Sequence, residues 1–122
     1  MRLWHQSLLS KLPRQQLLGQ HRECCALRGN GWGKKHATVN YVFNYSPAKL
    51  VSYHLLVMNE MVNRGHLPNI EWYKLNYRGK SCKPYDFINY YEVNTLIYPE
   101  HNEEYFKECL DNLEGKGIRI VA

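Results

Sequence analysis

Apolar and polar positions follow a helical period in three stretches of the chain. In the first stretch, this spacing is kept by Leu17, Leu18, His21, Cys24, Cys25 and Arg28. Pro13 stands where a helix can begin, and the run Gly29-Asn30-Gly31 is expected to end it. Gly19 lies inside this helix, where it costs about 1 kcal/mol relative to alanine. A glycine kept in a helix at this cost predicts that another backbone approaches closely there.

The second stretch, "SPAKLVSYHLLVMNEMVNRG", is the clearest of the three. Ser46 is the expected N-cap, Pro47 the first helical residue and Gly65 the terminator. Its apolar stripe contains Leu50, His54, Val57, Met58 and Met61, flanked by Val51, Leu55 and Val62. The pattern predicts the central core helix. On this stripe, His54 is expected to be a core histidine with satisfied hydrogen bonds rather than a ligand.

The third helix is predicted from about Asn102 to Leu113. Asn102 is the expected cap, Glu103 and Glu104 suit the positive end of the helix dipole, and Gly115 is expected to end the helix. Its buried face is predicted to contain Tyr105, Phe106, Cys109, Leu110 and Leu113.

A long irregular segment, residues 71–95, separates the second and third helices. It mixes aromatic and basic residues, as surfaces for single strands or flipped bases do, but its tyrosines equally suit a packed loop. A short strand pair is predicted near Tyr90 to Ile97. We expect a mainly all-α, compact three-helix single domain spanning residues 1–122, with long loops.

The positive charge is concentrated in the first third of the chain. The whole chain has a formal net charge of +5. Residues 1–36 contain seven Lys and Arg against Glu23 alone, whereas the other 86 residues are close to neutral. Such a concentration indicates a polyanionic partner, most often nucleic acid. The alternative is a solvated basic surface without a partner.

Several other classes of protein are disfavoured. No apolar run approaches the ~20 residues that a membrane span needs, and the start lacks a secretory signal. The four cysteines show no CxxC spacing and are expected to be reduced thiols of a cytoplasmic protein. The run "GNGWGKK" lacks the spacing of a phosphate-binding loop, and no standard zinc pattern appears, so no metal is predicted.

Glu23 is the only carboxylate among the first 59 residues. It shares one side of the first helix with Gln16, Gly19 and Gln20, and nearby cations are expected to keep it ionised. An ionised carboxylate repels phosphate, so binding alone does not explain it, whereas proton abstraction or stabilisation of a cationic intermediate does. The alternative is a salt bridge on the helix surface, with Arg22 or with a neighbouring side chain.

Four segments resemble one known family. They are "LLSKLPRQQLLGQHRE", "GKKHATVNYVF", "SPAKL" and "YPEHNEEYFKECLDNL". These segments resemble the pyrimidine-dimer DNA glycosylase/AP lyase family of small UV-repair enzymes, most strongly up to about residue 50. The resemblance implies an all-helical fold in which the N-terminal segment threads between the helices, passing near Gly19.

The resemblance also implies the chemistry. The enzyme would act on pyrimidine dimers or abasic sites through an imino intermediate formed by the α-amine of Met1, with Glu23 assisting. An α-amine has an unperturbed pKa near 8, so part of it is free base at neutral pH. Two alternatives stay open: a non-catalytic nucleic-acid-binding module on the same scaffold, and a glycosylase for a different base lesion.

The implied partner is damaged double-stranded DNA, bound by a monomer without cofactor, metal or membrane. The predicted DNA-binding residues are Arg2, Gln16, Arg22, Arg28, Lys34, Lys35 and His36. Gln16 stands where the family has a phosphate-contacting histidine. The family's C-terminal aromatic tail is absent from the ending "GKGIRIVA".

Overall fold

The computed structural model describes residues 2–32, 38–86, 88 and 96–120. Its α-helices are α1 (Arg14–Arg28), α2 (Pro47–Asn63) and α3 (Glu103–Gly115), with short 3-10 helices at Gln6–Leu8, Asn40–Asn44 and Ile70–Tyr73. These residues contain no strand, which confirms the all-α, three-helix prediction. The predicted strand pair near Tyr90 to Ile97 falls mainly on residues outside the described ranges.

The first two helices begin and end where the capping residues predict. α1 follows Pro13 and is capped at its end by Gly29. The hydroxyl of Ser46 accepts a hydrogen bond from the Ala48 N–H at 3.2 Å, which caps α2. Gly65, just after α2, has a φ of +88°, a left-handed conformation that glycine adopts without strain.

α3 begins and ends as predicted. The side chain of Asn102 accepts from the Tyr105 N–H at 2.9 Å and caps the helix. Gly115, expected to end the helix, is its last helical residue. The left-handed turn that follows is at Gly117, with a φ of +80°.

The N-terminal segment is part of the core. α1 packs directly on α2. Leu3 and Trp4 are buried in the same cluster as Cys109 and Leu113 of α3, and the buried His5 ring packs on Phe106 of that helix. The segment therefore lies between α3 and the α1–α2 pair, as the threading prediction requires.

Gly19 is not the point of close approach that the sequence suggested. A Cβ added there would meet only the Arg22 guanidinium, at 3.6 Å, among the described atoms. The crowded glycines follow α1: a Cβ on Gly29 would lie 2.9 Å from the Arg78 carbonyl oxygen, and one on Gly31 only 2.7 Å from that of Ala26. Glycine is therefore required at the exit of α1 and not within it.

Part of the aromatic segment after α2 is a packed loop. Trp72 contacts the His54 ring, with ring centroids 5.7 Å apart, and Tyr77 packs on Trp72 at 4.8 Å. The guanidinium of Arg78 stacks over Tyr85 at 4.6 Å. Residues 87 and 89–95 lie outside the described ranges, so the role of their tyrosines as a base-binding surface stays a prediction.

Two further expectations concern the described residues. None of the described helices is long and apolar enough to cross a membrane. All four cysteines are free thiols, of which Cys24 and Cys109 are buried and Cys25 and Cys82 are half-buried, and their reduced state stays a prediction.

Candidate active site

Side chains from all three helices hold the backbone of the N-terminal segment. The Trp4 N–H donates to Oε1 of Gln20, on α1, at 2.6 Å. The hydroxyl of Tyr53, on α2, donates to the Trp4 carbonyl oxygen at 2.6 Å. The hydroxyl of Tyr105, on α3, donates to the Leu3 carbonyl oxygen, also at 2.6 Å. The start of the chain is thus fixed by buried hydrogen bonds, which are costly to leave unmade.

Glu23 lies beside Arg2, the first described residue of this segment. Its Oε2 accepts hydrogen bonds from the Arg2 backbone N–H at 3.2 Å and from Nε2 of Gln20 at 3.0 Å. No ion pair joins it to Arg22, although the structure describes both residues. The surface salt bridge between Arg22 and Glu23, considered from the sequence, is therefore not formed.

Burial has the larger effect on the acidity of Glu23. Partial burial raises the pKa of its carboxyl group above the ordinary value. The hydrogen bond from the Arg2 backbone, the positive amino terminus, the Gln20 amide and the charge of Lys116 act in the opposite direction, but they do not cancel it. The neighbouring cations in the sequence indicate only an ionised Glu23, because desolvation depends on the fold. A carboxylate with a raised pKa is a stronger base.

Met1 lies outside the described residues, so its role as the nucleophile stays a prediction. The first residue that the structure describes is Arg2, whose backbone nitrogen lies 3.2 Å from Oε2 of Glu23.

Two cations lie near this end of the segment. The guanidinium of Arg2 lies 5.8 Å from the ring centroids of both Trp4 and Tyr105, and 3.8 Å from the Glu108 carboxylate. Nζ of Lys116, just after α3, lies 5.3 Å from the Trp4 centroid. Sequence analysis did not select Lys116, because α3 is distant along the chain and only the fold brings its end to Glu23.

Of the other predicted DNA-binding residues, two lie on α1 near Glu23 and three lie outside the described ranges. Arg22 is exposed, one residue from Glu23 on α1, and Gln16 is half-buried two turns earlier. Lys34, Lys35 and His36 lie outside the described residues, so their predicted role is not tested.

Arg28 has a different environment from the one predicted. It is fully buried. Its guanidinium donates to the carbonyl oxygens of Trp72, Lys74 and Tyr77 at 2.8–2.9 Å and to Nδ1 of His54 at 3.0 Å. These bonds tie the end of α1 to the loop at residues 72–77. We therefore leave Arg28 out of the DNA-binding surface, because its donors face inward.

His54 is a core histidine with satisfied hydrogen bonds, as predicted. Arginine offers only donors, so Nδ1 of His54 must accept from Arg28. Burial, followed by the charge of Arg28, lowers the pKa of His54 well below its usual value, so the ring is neutral and its proton is on Nε2. That proton faces Nδ1 of His21 at 2.8 Å. The proton of His21 is then on Nε2, 3.7 Å from Sγ of Cys25.

The same three side chains are close enough together to suggest a metal site. Ligand atoms of His21, Cys25 and His54 all lie within 4.8 Å of one another. A metal on Nε2 of His54 would have to replace the proton while Arg28 still donates to Nδ1, whereas a metal-bound histidine normally donates its second N–H to an acceptor. Burial also raises the pKa of the Cys25 thiol to about 12. The arrangement favours a chain of neutral hydrogen-bonded groups, and the absence of a metal stays a prediction.

Sequence analysis missed three of the polar residues that build the site, Gln20, Tyr53 and Tyr105. Gln20 carried a signal, since a polar residue at a position flanked in helical spacing by Leu17 and Cys24 is expected to be buried. The hydroxyl groups of the two tyrosines carried none, because their partners are backbone atoms of a segment remote in sequence.

A family model matches more than half of the chain. The model of a family described as pyrimidine dimer DNA glycosylase matches residues 1–74, which include the N-terminal segment, α1 and α2. No curated protein and no solved structure matches the chain significantly.

Proposed function

The chain belongs to the pyrimidine dimer DNA glycosylase family, and we propose that it is a DNA-repair N-glycosylase with AP lyase activity on damaged double-stranded DNA. The nucleophile is the α-amine of Met1, and Glu23 assists it. One observation carries the proposal: the Arg2 backbone N–H donates to the Glu23 carboxylate, which keeps the chain start beside the only acid of the first 59 residues.

In the first step the free amine replaces the base. The amine attacks C1′ of the damaged nucleotide, and the glycosidic bond breaks with its electron pair on the leaving base, which takes up a proton. The nitrogen loses a proton to solvent. The sugar ring then opens, O4′ gains a proton, and an iminium ion joins Met1 to C1′. The ionised carboxylate of Glu23 stabilises the positive charge that develops on the sugar.

In the second step the strand is cut. Glu23 takes the proton from C2′, and the electron pair of that C–H bond becomes the C2′=C3′ double bond. The C3′–O bond breaks, and its electron pair leaves with the phosphate. Water then hydrolyses the iminium ion, which releases the amine and an unsaturated aldehyde. The raised pKa of Glu23 suits a group that must accept a proton near neutral pH.

Binding is assigned to the cations around the chain start. Arg2, Arg22 and Gln16 contribute to binding, and Lys34, Lys35 and His36 are included on sequence grounds. Contacts to phosphates release counterions, so affinity should fall steeply as salt rises. The proposal also includes a monomer acting in the cytoplasm, on pyrimidine dimers or abasic sites.

Borohydride trapping tests the nucleophile directly. The untagged protein is incubated with duplexes that carry one abasic site or one pyrimidine dimer, and borohydride reduces the iminium ion to a stable covalent adduct. Acetylation of the N-terminus should abolish the adduct. Glu23→Gln should keep the binding affinity but slow strand cleavage by about 10²- to 10⁴-fold. Glu71→Gln is the matched control, because this exposed acid pairs with Lys74 and should leave cleavage unchanged.

Two results would contradict the proposal in different ways. An adduct that forms after acetylation would assign the nucleophile to a lysine, and Lys116 would be examined first because of its position beside Trp4. Salt-sensitive binding without adduct or cleavage on either substrate would favour the non-catalytic module. Cleavage of a duplex with another base lesion alone would favour a glycosylase of different specificity.

A further inference from the structure

The amide of Gln20 holds three partners at one point of the fold. Its Oε1 accepts from the Trp4 N–H at 2.6 Å. The Tyr53 hydroxyl lies 3.0 Å from the same oxygen, but its single proton is donated to the Trp4 carbonyl oxygen at 2.6 Å. Nε2 of Gln20 donates to the Arg2 carbonyl oxygen at 2.9 Å and to Oε2 of Glu23 at 3.0 Å. Both N–H donors of the amide are therefore used. The side chain is almost fully buried.

The orientation of this amide is fixed by its backbone partners. The Trp4 N–H can only donate and the Arg2 carbonyl oxygen can only accept. Exchanging the oxygen and nitrogen of Gln20 would therefore break both bonds. The NH₂ group must face the Glu23 carboxylate.

We propose that Gln20 is a positioning residue that couples the catalytic carboxylate to the chain start, an inference that rests on the proposed function. One NH₂ group holds both Oε2 of Glu23 and the backbone of Arg2, so the base and the segment that carries the nucleophile share an anchor. Among the described residues no donor reaches Oε1 of Glu23. Oε1 is then the oxygen that takes the C2′ proton, while Oε2 is held in place.

Gln20→Glu separates the two halves of this anchor. The substitution keeps Oε1 as the acceptor for the Trp4 N–H. It replaces the NH₂ group with an oxygen, placed about 3 Å from both Oε2 of Glu23 and the Arg2 carbonyl oxygen. Two carboxylates at that separation share a proton, so one of them ionises only at higher pH.

The pH dependence of strand cleavage measures this effect. Under single-turnover conditions, the acid limb of the Gln20→Glu profile should move to higher pH by about one unit or more. The matched control is Gln15→Glu, the same change at an exposed position on α1, and its limb should stay within about 0.3 units of the wild type because exposed charges interact weakly. A loss of stability alone would lower the whole profile without moving the limb.

A second measurement does not depend on the variant folding or on activity. In the wild-type protein, the side-chain amide NMR signals of Gln20 should titrate with Glu23, and this titration should vanish in Glu23→Gln. The positioning role would be wrong if Gln20→Glu and Gln15→Glu gave the same pH profile, or if the Gln20 signals did not titrate. Cleavage by the wild-type protein would still support the lyase in that case. If the wild-type protein gave neither cleavage nor adduct while its Gln20 signals titrated, the proposed function would be wrong.

Discussion

Replacing Arg28 with lysine tests whether this residue supports the fold or binds DNA. The guanidinium of Arg28 contacts four acceptors from two separate nitrogens. Nη1 donates to the Trp72 carbonyl oxygen and to Nδ1 of His54, and Nη2 donates to the carbonyl oxygens of Lys74 and Tyr77. Arg28→Lys keeps the positive charge but supplies one nitrogen in place of two. Any change in DNA binding caused by charge alone is thereby removed.

The expected cost follows from the partners that lose a donor. A single ammonium group cannot serve both pairs of acceptors, so at least two of the four bonds are lost. Hydrogen bonds to charged groups contribute about 1.5–3 kcal/mol each. Carbonyl groups of the loop at residues 72–77 recover part of this free energy by forming hydrogen bonds to water. Arg28→Lys should therefore lower the free energy of unfolding by about 2–4 kcal/mol. A domain of ordinary stability, about 5–15 kcal/mol, stays folded.

Urea unfolding at 25 °C and DNA binding at several salt concentrations give the two readouts. Arg28→Lys should shift the unfolding midpoint and leave both the affinity and the slope of its salt dependence unchanged. The exposed Arg22 provides the comparison. Arg22→Gln should change stability by less than about 0.5 kcal/mol but reduce the salt slope by about 1, as expected for one lost phosphate contact.

The opposite pattern would refute this assignment. If Arg28→Lys unfolds at the wild-type urea concentration, the four hydrogen bonds contribute little and the burial of Arg28 has another cause. If Arg28→Gln reduces the salt slope as much as Arg22→Gln does, Arg28 reaches phosphate in the complex and belongs with the DNA-binding residues after all.

The remaining predictions concern stability. The free energy of unfolding should fall as pH drops below about 6.5, the unfolded-state value of histidine, because burial lowers the pKa of His54 well below that value and the pKa of His101 to about 3. Urea midpoints that rise towards pH 5 would contradict this. Gly31→Ala should destabilise by about 1–3 kcal/mol through the contact with Ala26, whereas Gly19→Ala should stabilise by about 0.5–1 kcal/mol. Thermal melts compare the two variants.

Local sequence rules predicted the helices because local interactions decide their starts. Ser46 and Asn102 cap their helices through hydrogen bonds within one turn, and Pro47 is the first residue of α2, as expected. α3 ends at Gly115, as predicted, but the left-handed turn after it is at Gly117. The sequence does not decide between the two glycines for that turn, because glycine at either position suits a positive φ.

Charge counting selected Glu23 as a candidate for the chemistry but assigned Arg28 to the surface. Glu23 is the lone acid in the first third of the chain, and Arg28 is one of seven basic residues there. The helical spacing of Arg28 with Leu17 and Cys24 placed it on the buried face of α1, and this periodicity conflicted with a role at the surface. The periodicity was the better guide, because a guanidinium surrounded by carbonyl oxygens can be buried without a carboxylate partner.

The contacts of the chain start could not be predicted, because they join residues 2–4 to side chains between 16 and 102 positions away. Those contacts resolve a conflict at Glu23. Burial increases its basicity, but leaving a buried carboxylate without donors costs free energy and does not fix its orientation. Two donors on Oε2 supply the orientation without cancelling the rise in pKa. Under the proposed mechanism, Gln20 is the side chain that joins the chain start to its base, because local structure does not hold these two segments together.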